Sequence, residues 1–165
     1  MSIRRLRAGD APAYRELMLQ AYGLHPQAFT SSVSERATMP MNWWESRLTS
    51  RFDVVLGAFV EDELAGIVGL SLEPRQKARH KATLFGMYVV DAHRHRGLGQ
   101  QLLEAALDEA RRHSFLRLVQ LTVTAGNDPA IRLYQRCGFA LYGLEPMAIR
   151  VDDEYLDKIH MWREL

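Results

Sequence analysis

A chain of 165 residues has the size of one compact domain and can close a hydrophobic core without disulfides or metals. With 47% hydrophobic and 25% charged residues it does not read as disordered, and 21 Lys+Arg against 20 Asp+Glu give no overall drive toward nucleic acid or an anionic membrane. The single Cys137 rules out an internal disulfide, no apolar run approaches the roughly 20 residues of a membrane-crossing helix, and the Met-Ser-Ile-Arg-Arg start lacks a secretory apolar stretch. A cytoplasmic, single-domain protein over residues 1–165, without nucleic-acid or membrane partners, is therefore expected. Ile3 to Arg7 predicts a short strand. Asp10 then offers an N-cap and Pro12 suits the first turn of a helix running to Tyr22, with Tyr14, Leu17, Met18 and Ala21 at helical spacing. Residues 25–41 are irregular, a loop or a short helix, and Asn42 opens another helical stretch with Trp44 and Leu48 on one face.

From Asp53 the period changes. Val54 to Val60, the turn Glu61-Asp62-Glu63 and Leu64 to Leu72 read as a hairpin, with Gly66 and Gly69 marking a bulge or close packing. His80 to Val90 is a third strand. Gly97 to His113 is the clearest helix, because Leu98, Leu102, Ala106 and Ala110 recur every fourth residue beside Leu103 and Leu107. Arg117 to Thr124 reads as a strand, Asp128 to Cys137 as a helix, and Ala140 to Arg150 and Tyr155 to Arg163 as two closing strands. The order of elements implies an α/β fold with a sheet of about seven strands, antiparallel early and parallel where the Gly97 helix crosses over.

Chemistry concentrates where the third strand meets that helix. Arg94-His95-Arg96-Gly97-Leu98-Gly99 places two glycines and two arginines in a helix's first turn, where free N–H groups and the macrodipole favour an anion such as a pyrophosphate. No Gly-Lys-Ser/Thr ending and no full dinucleotide fingerprint is present. Glycines that merely ease a turn remain an alternative reading of Gly-x-Gly alone. His93-x-His95 has no third ligand nearby and reads as solvated turn residues, so no metal is expected.

Arg94-x-x-Gly97-x-Gly99, after the apolar strand Met87-Tyr88-Val89-Val90, resembles the Arg/Gln-x-x-Gly-x-Gly/Ala signature of the GNAT superfamily of N-acetyltransferases. Downstream, Asn127-Asp128-Pro129-Ala130, Leu133-Tyr134 and Gly138-Phe139 are similar to that family's second block. The resemblance implies an α+β mixed sheet flanked by about four helices, with splayed central parallel strands. It also implies acetyl-CoA as cosubstrate, a small-molecule amine or peptide acceptor, and direct attack in a ternary complex. By position, Met87, Tyr88, Val89 and Val90 would hold the pantetheine arm, Arg94, His95, Arg96, Gly97, Leu98 and Gly99 the pyrophosphate, and Asn127 the pantetheine again; Asn127 also reads as a helix cap, and the two roles are compatible. Tyr134 would be the catalytic acid near the sulfur, its alternative being a core aromatic. Some relatives carry a glutamate base where this chain has Thr122, which leaves a water chain or one of Glu73, His80, Glu35 and His25, each of which also reads as a surface or salt-bridged residue, to take the proton. A small amine or amino acid is the expected acceptor; a protein N-terminus or lysine is the alternative, and a non-catalytic acyl-CoA sensor is another. Many relatives are dimers, and the apolar tail offers a pairing surface for a homodimer.

Overall fold

The computed structural model describes all 165 residues, and no helix in it is long and apolar enough to cross a membrane. Seven strands form one sheet: β1 Ser2–Arg5, β2 Asp53–Val60, β3 Glu63–Leu72, β4 Lys81–Val89, β5 Leu118–Thr124, β6 Ala140–Val151 and β7 Glu154–Glu164. The spatial order is β1-β2-β3-β4-β5-β7-β6. Five helices flank it: α1 Ala11–Leu24, α2 Val33–Ala37, α3 Met41–Thr49, α4 Leu98–Arg111 and α5 Asp128–Arg136. All neighbouring strands run antiparallel except β4 and β5, which α4 joins by a crossover.

Each face of the sheet has its own core. On one, Leu98, Leu102, Leu103, Ala106, Leu107 and Ala110 of α4 pack on Val54, Leu56, Val68, Leu70, Ala82 and Leu84. On the other, Tyr14, Leu17, Met18 and Ala21 of α1 and Trp44 and Leu48 of α3 cover Val55, Ile67 and Tyr88. Burial on both sides explains why β2 and β3 read as nearly continuous apolar runs.

Several expected details differ. Asp10 precedes α1 but makes no side-chain cap; its carboxylate accepts from the Arg7 amide at 2.7 Å and pairs with Arg4 at 2.9 Å, because a 3-10 turn over Ala8–Asp10 intervenes. Residues 25–41 hold both a 3-10 turn, Pro26–Ala28, and α2, whose start is stabilised by reciprocal bonds between Ser32 and Glu35. This gives five α-helices where about four were expected. β4 ends at Val89 rather than Val90, since Val90 opens a 3-10 turn over Asp91–His93.

The bulge lies opposite the glycine that hinted at it. Ile67 pairs with Tyr88 but Gly69 pairs with Phe85, so the extra residue sits in β4, where Gly86 takes φ +62. This one insertion reverses the alternation along β4. Ala82 and Leu84 face α4, Phe85 and Tyr88 both face α1 and α3, and Met87 and Val89 return to the α4 side. Gly69 makes room for the Phe85 ring, since a Cβ there would lie 2.3 Å from Phe85 Cζ. Gly69→Ala should therefore lower stability by about 1–3 kcal/mol in chemical denaturation, as an overpacked core site does, and a full-stability variant would show that Phe85 is free to move.

Candidate active site

β4 and β5 share only three paired positions, Lys81 with Leu118, Ala82 with Val119 and Thr83 with Gln120. Beyond them the strands diverge, and their facing backbone groups have no ladder partners. The gap between them is a cleft of about 780 Å³. One mouth is the start of α4; a strap formed by residues 25–30 closes the far side of the sheet. That strap spans the gap: His25 and Phe29 pack on Tyr88 of β4, the Gln27 carbonyl accepts from Thr124 Oγ1 of β5 at 2.7 Å, and Lys158 Nζ of β7 bonds Thr30 Oγ1.

At the mouth, Gly97 adopts φ +76 and His95 φ +64, left-handed turns that curl the backbone before α4. The helix start carries no side-chain cap, and its first internal bond runs from the Gln101 amide to the Gly97 carbonyl. The preceding N–H groups are left for a ligand. A Cβ at Gly97 would meet nothing within 4 Å, whereas Gly99 lies against Leu133 and Met87 and so lets α4 sit close to α5 and β4. Open amides, a positive helix end and nearby arginines fit a pyrophosphate.

Met87, Tyr88, Val89, Arg94, His95, Gly97, Leu98, Gly99, Asn127 and Tyr134 all line this cleft. Val90 and Arg96 do not: the Val90 amide bonds Ala65 as the chain turns away, and Arg96 is exposed beyond the rim. Arg94 is held along the rim, its guanidinium 3.1 Å from Asp91, 3.2 Å from the Val89 carbonyl and 3.3 Å from His25 Nε2. Asn127 makes no side-chain cap to α5, which leaves its amide free toward the cleft. Tyr134 is the one buried residue of α5, packed edge-on against Phe139 at 6.1 Å. Its hydroxyl has no partner in the chain yet is not sealed off, so it opens into the cleft. Burial pushes it up to about 12, and it keeps its proton at neutral pH.

Of the four base candidates only His25 reaches the cleft. Its Nε2 lies 3.3 Å from both Asp91 Oδ1 and Arg94 Nη2, and one nitrogen cannot donate to the first while accepting from the second. Glu73 is bound to Arg75 at 2.7 Å, and that guanidinium holds its carboxyl below the ordinary range. Glu35 caps α2, and His80 sits at the closed end of the parallel pair. His160 is not among the residues the sequence singles out, and like Glu73, Glu35 and His80 it does not line the cleft. Leu121 and Val123 face α4, so Thr122 faces the other way; its cross-strand partner on that face is His160, 3.5 Å from Glu145. No local motif marks His160, because only the β5–β7 register brings it beside Thr122.

The sequence profile of the acetyltransferase (GNAT) family matches residues 14–139. The chain is 26% identical over 163 residues to the L-amino acid N-acetyltransferase AaaT of Escherichia coli K12, covering 98% of this chain and 96% of that one. It is 25% identical over 161 residues to the L-methionine sulfoximine/L-methionine sulfone acetyltransferase of Pseudomonas paraeruginosa, covering 97% and 92%. The structure of yncA from Salmonella typhimurium with its cofactor acetyl-CoA superposes with a TM-score of 0.83 at 25% identity, covering 100% of this chain and 94% of that one. The match runs from α1 past the end of α5 and takes in the splay, the glycine turn and the tyrosine helix: the chain belongs to the acetyltransferase (GNAT) family.

Proposed function

We propose that this chain transfers an acetyl group from acetyl-CoA to the primary amine of a small acceptor, an amino acid or a close analogue. The observation that carries the reading is the cleft between β4 and β5, lined with unpaired strand backbone and opening on the uncapped start of α4. The two amino-acid acetyltransferases similar over nearly the whole chain support the acceptor class.

The amides from His95 to Gly99, with Arg94 swung from Asp91, would hold the pyrophosphate. The free edge of β4 at Met87 and Val89, with the Asn127 amide, would hold the pantetheine arm. Bound there, acetyl-CoA supplies a thioester whose carbonyl carbon forms a bond to a neutral amine as its bond to sulfur breaks. Tyr134 holds the proton that the departing thiolate needs, and burial keeps that proton in place until it is required. The amine enters on the α1 and α3 face, between Phe85 and Thr122. His160, which pairs with Glu145 and lies beside Thr122 outside the cleft lining, takes the amine's proton through water.

Acetyl-CoA with a panel of amines should release free thiol with at least one amino acid. Thermal stabilisation by coenzyme A with no release from any amine would make the chain a binding module instead. Tyr134→Phe should lower kcat by about 10²-fold, far more than it weakens cofactor binding in calorimetry; an unchanged rate removes Tyr134 from the mechanism. A base works only when deprotonated, so kcat/KM should fall on the acid side of its pH profile. His160→Gln should erase that acid-side limb and lower the plateau, and a variant with the limb intact assigns the base elsewhere.

A further inference from the structure

Beyond Phe85 and Phe29, on the α1 and α3 face, two arginines have no acidic partner. Arg36 of α2 stacks on the Trp43 ring at 4.5 Å and donates from Nη2 to Ser31 Oγ at 2.9 Å. Arg47 of α3 lies over the same indole at 5.5 Å and over the Phe85 ring at 4.8 Å. Both are half-buried, and the Nε of each is sealed from solvent with no hydrogen-bond partner. Every ion pair in the chain involves other residues, so neither guanidinium has a carboxylate within 4.0 Å. Burial pushes the nearby Tyr22 hydroxyl up while Arg36 and Arg47 pull it down, which places both charges in one small volume.

Such an arrangement is costly in the empty protein. Two like charges share one aromatic shelf, and buried N–H donors without acceptors lose their hydration. A stability role would favour a neighbouring Asp or Glu; instead aromatic rings hold the planar forks in place with no carboxylate against them. Phe85 joins this site to the chemistry, since its ring touches Arg47 while the same residue lines the cleft where β4 leaves β5. Arg36 and Arg47 do not themselves line the cleft, so an acceptor whose amine lies beside Phe85 meets Arg47 by extending its anion past that ring.

We propose that Arg36 and Arg47 form an anion subsite that receives the carboxylate of a free α-amino acid acceptor. The inference rests on the acetyl-transfer reading and sharpens it, because a peptide N-terminus or a lysine side chain offers no carboxylate beside its amine. Guanidinium and carboxylate pair through two parallel hydrogen bonds, which fixes the orientation of the acceptor as well as its affinity.

The test compares free amino acids with their primary amides, which keep the amine and side chain and lack only the carboxylate. The wild-type enzyme should favour the acid at least tenfold in kcat/KM. In Arg47→Met, and in Arg36→Met as a second variant, that acid-to-amide ratio should fall by about 10- to 100-fold, mainly through KM for the acid. Equal use of acid and amide by the wild-type enzyme, or an unaltered ratio in both variants, overturns the subsite. Calorimetry reads it without turnover: an N-acetyl amino acid titrated into the coenzyme A complex should bind the wild type and be lost in the double variant. If no amine is acetylated, the catalytic reading fails by itself. The titration still decides, and an N-acetyl amino acid that binds no better than its amide ends the proposal. Coenzyme A affinity of each variant reports that it is folded.

Discussion

Two parallel strands that stop pairing after three positions are the constraint on which the rest of this structure depends. Backbone N–H and C=O groups without partners are costly in a dry interior, so β4 and β5 can separate only where water or a ligand replaces the missing ladder. The fold holds them apart from both faces. On one, the buried leucines of α4 anchor the crossover against β2, β3 and β4. On the other, the strap at residues 25–30 grips Tyr88 on one strand and Thr124 on the other. A gap braced in this way is preorganised for an extended ligand carrying its own amides.

The inserted residue at Gly86 matters for a different reason. Without it, simple alternation would put Phe85, Met87 and Val89 on one face. With it, Phe85 and Tyr88 turn toward α1 and α3, while Met87 and Val89 turn toward α4. The same strand thus presents separate surfaces at one point along the cleft, one beside the glycine turn and the other beside the aromatic and arginine cluster. Gly69 belongs to this device, as the empty position in β3 that admits the Phe85 ring.

Charge is arranged locally in a chain whose formal net charge is only +1. Arg94 is balanced by Asp91 at the rim, with His25 within reach of both. Arg36 and Arg47 have no such balance, and aromatic rings rather than carboxylates hold them in position. The contrast separates a cation paired with a carboxylate from two held only by aromatic rings.

Much of this was legible in the amino-acid order alone. The periodicity of α4, the glycine turn after a strand, and the Asn127 to Phe139 block are local patterns, and local patterns carry the family, the element order and most of the cleft wall. The sequence also indicated a bulge or close packing near Gly66 and Gly69, but not that the extra residue lies in the partner strand, because a bulge is a property of a register. His160 beside Thr122, and Arg36 beside Arg47 and Phe85, come together only through strand pairing and helix packing between segments far apart in the chain. Backbone propensity and motif spacing act over a few residues, whereas these pairings draw on α2, α3, β4, β5 and β7, and only the folded sheet brings those elements into contact.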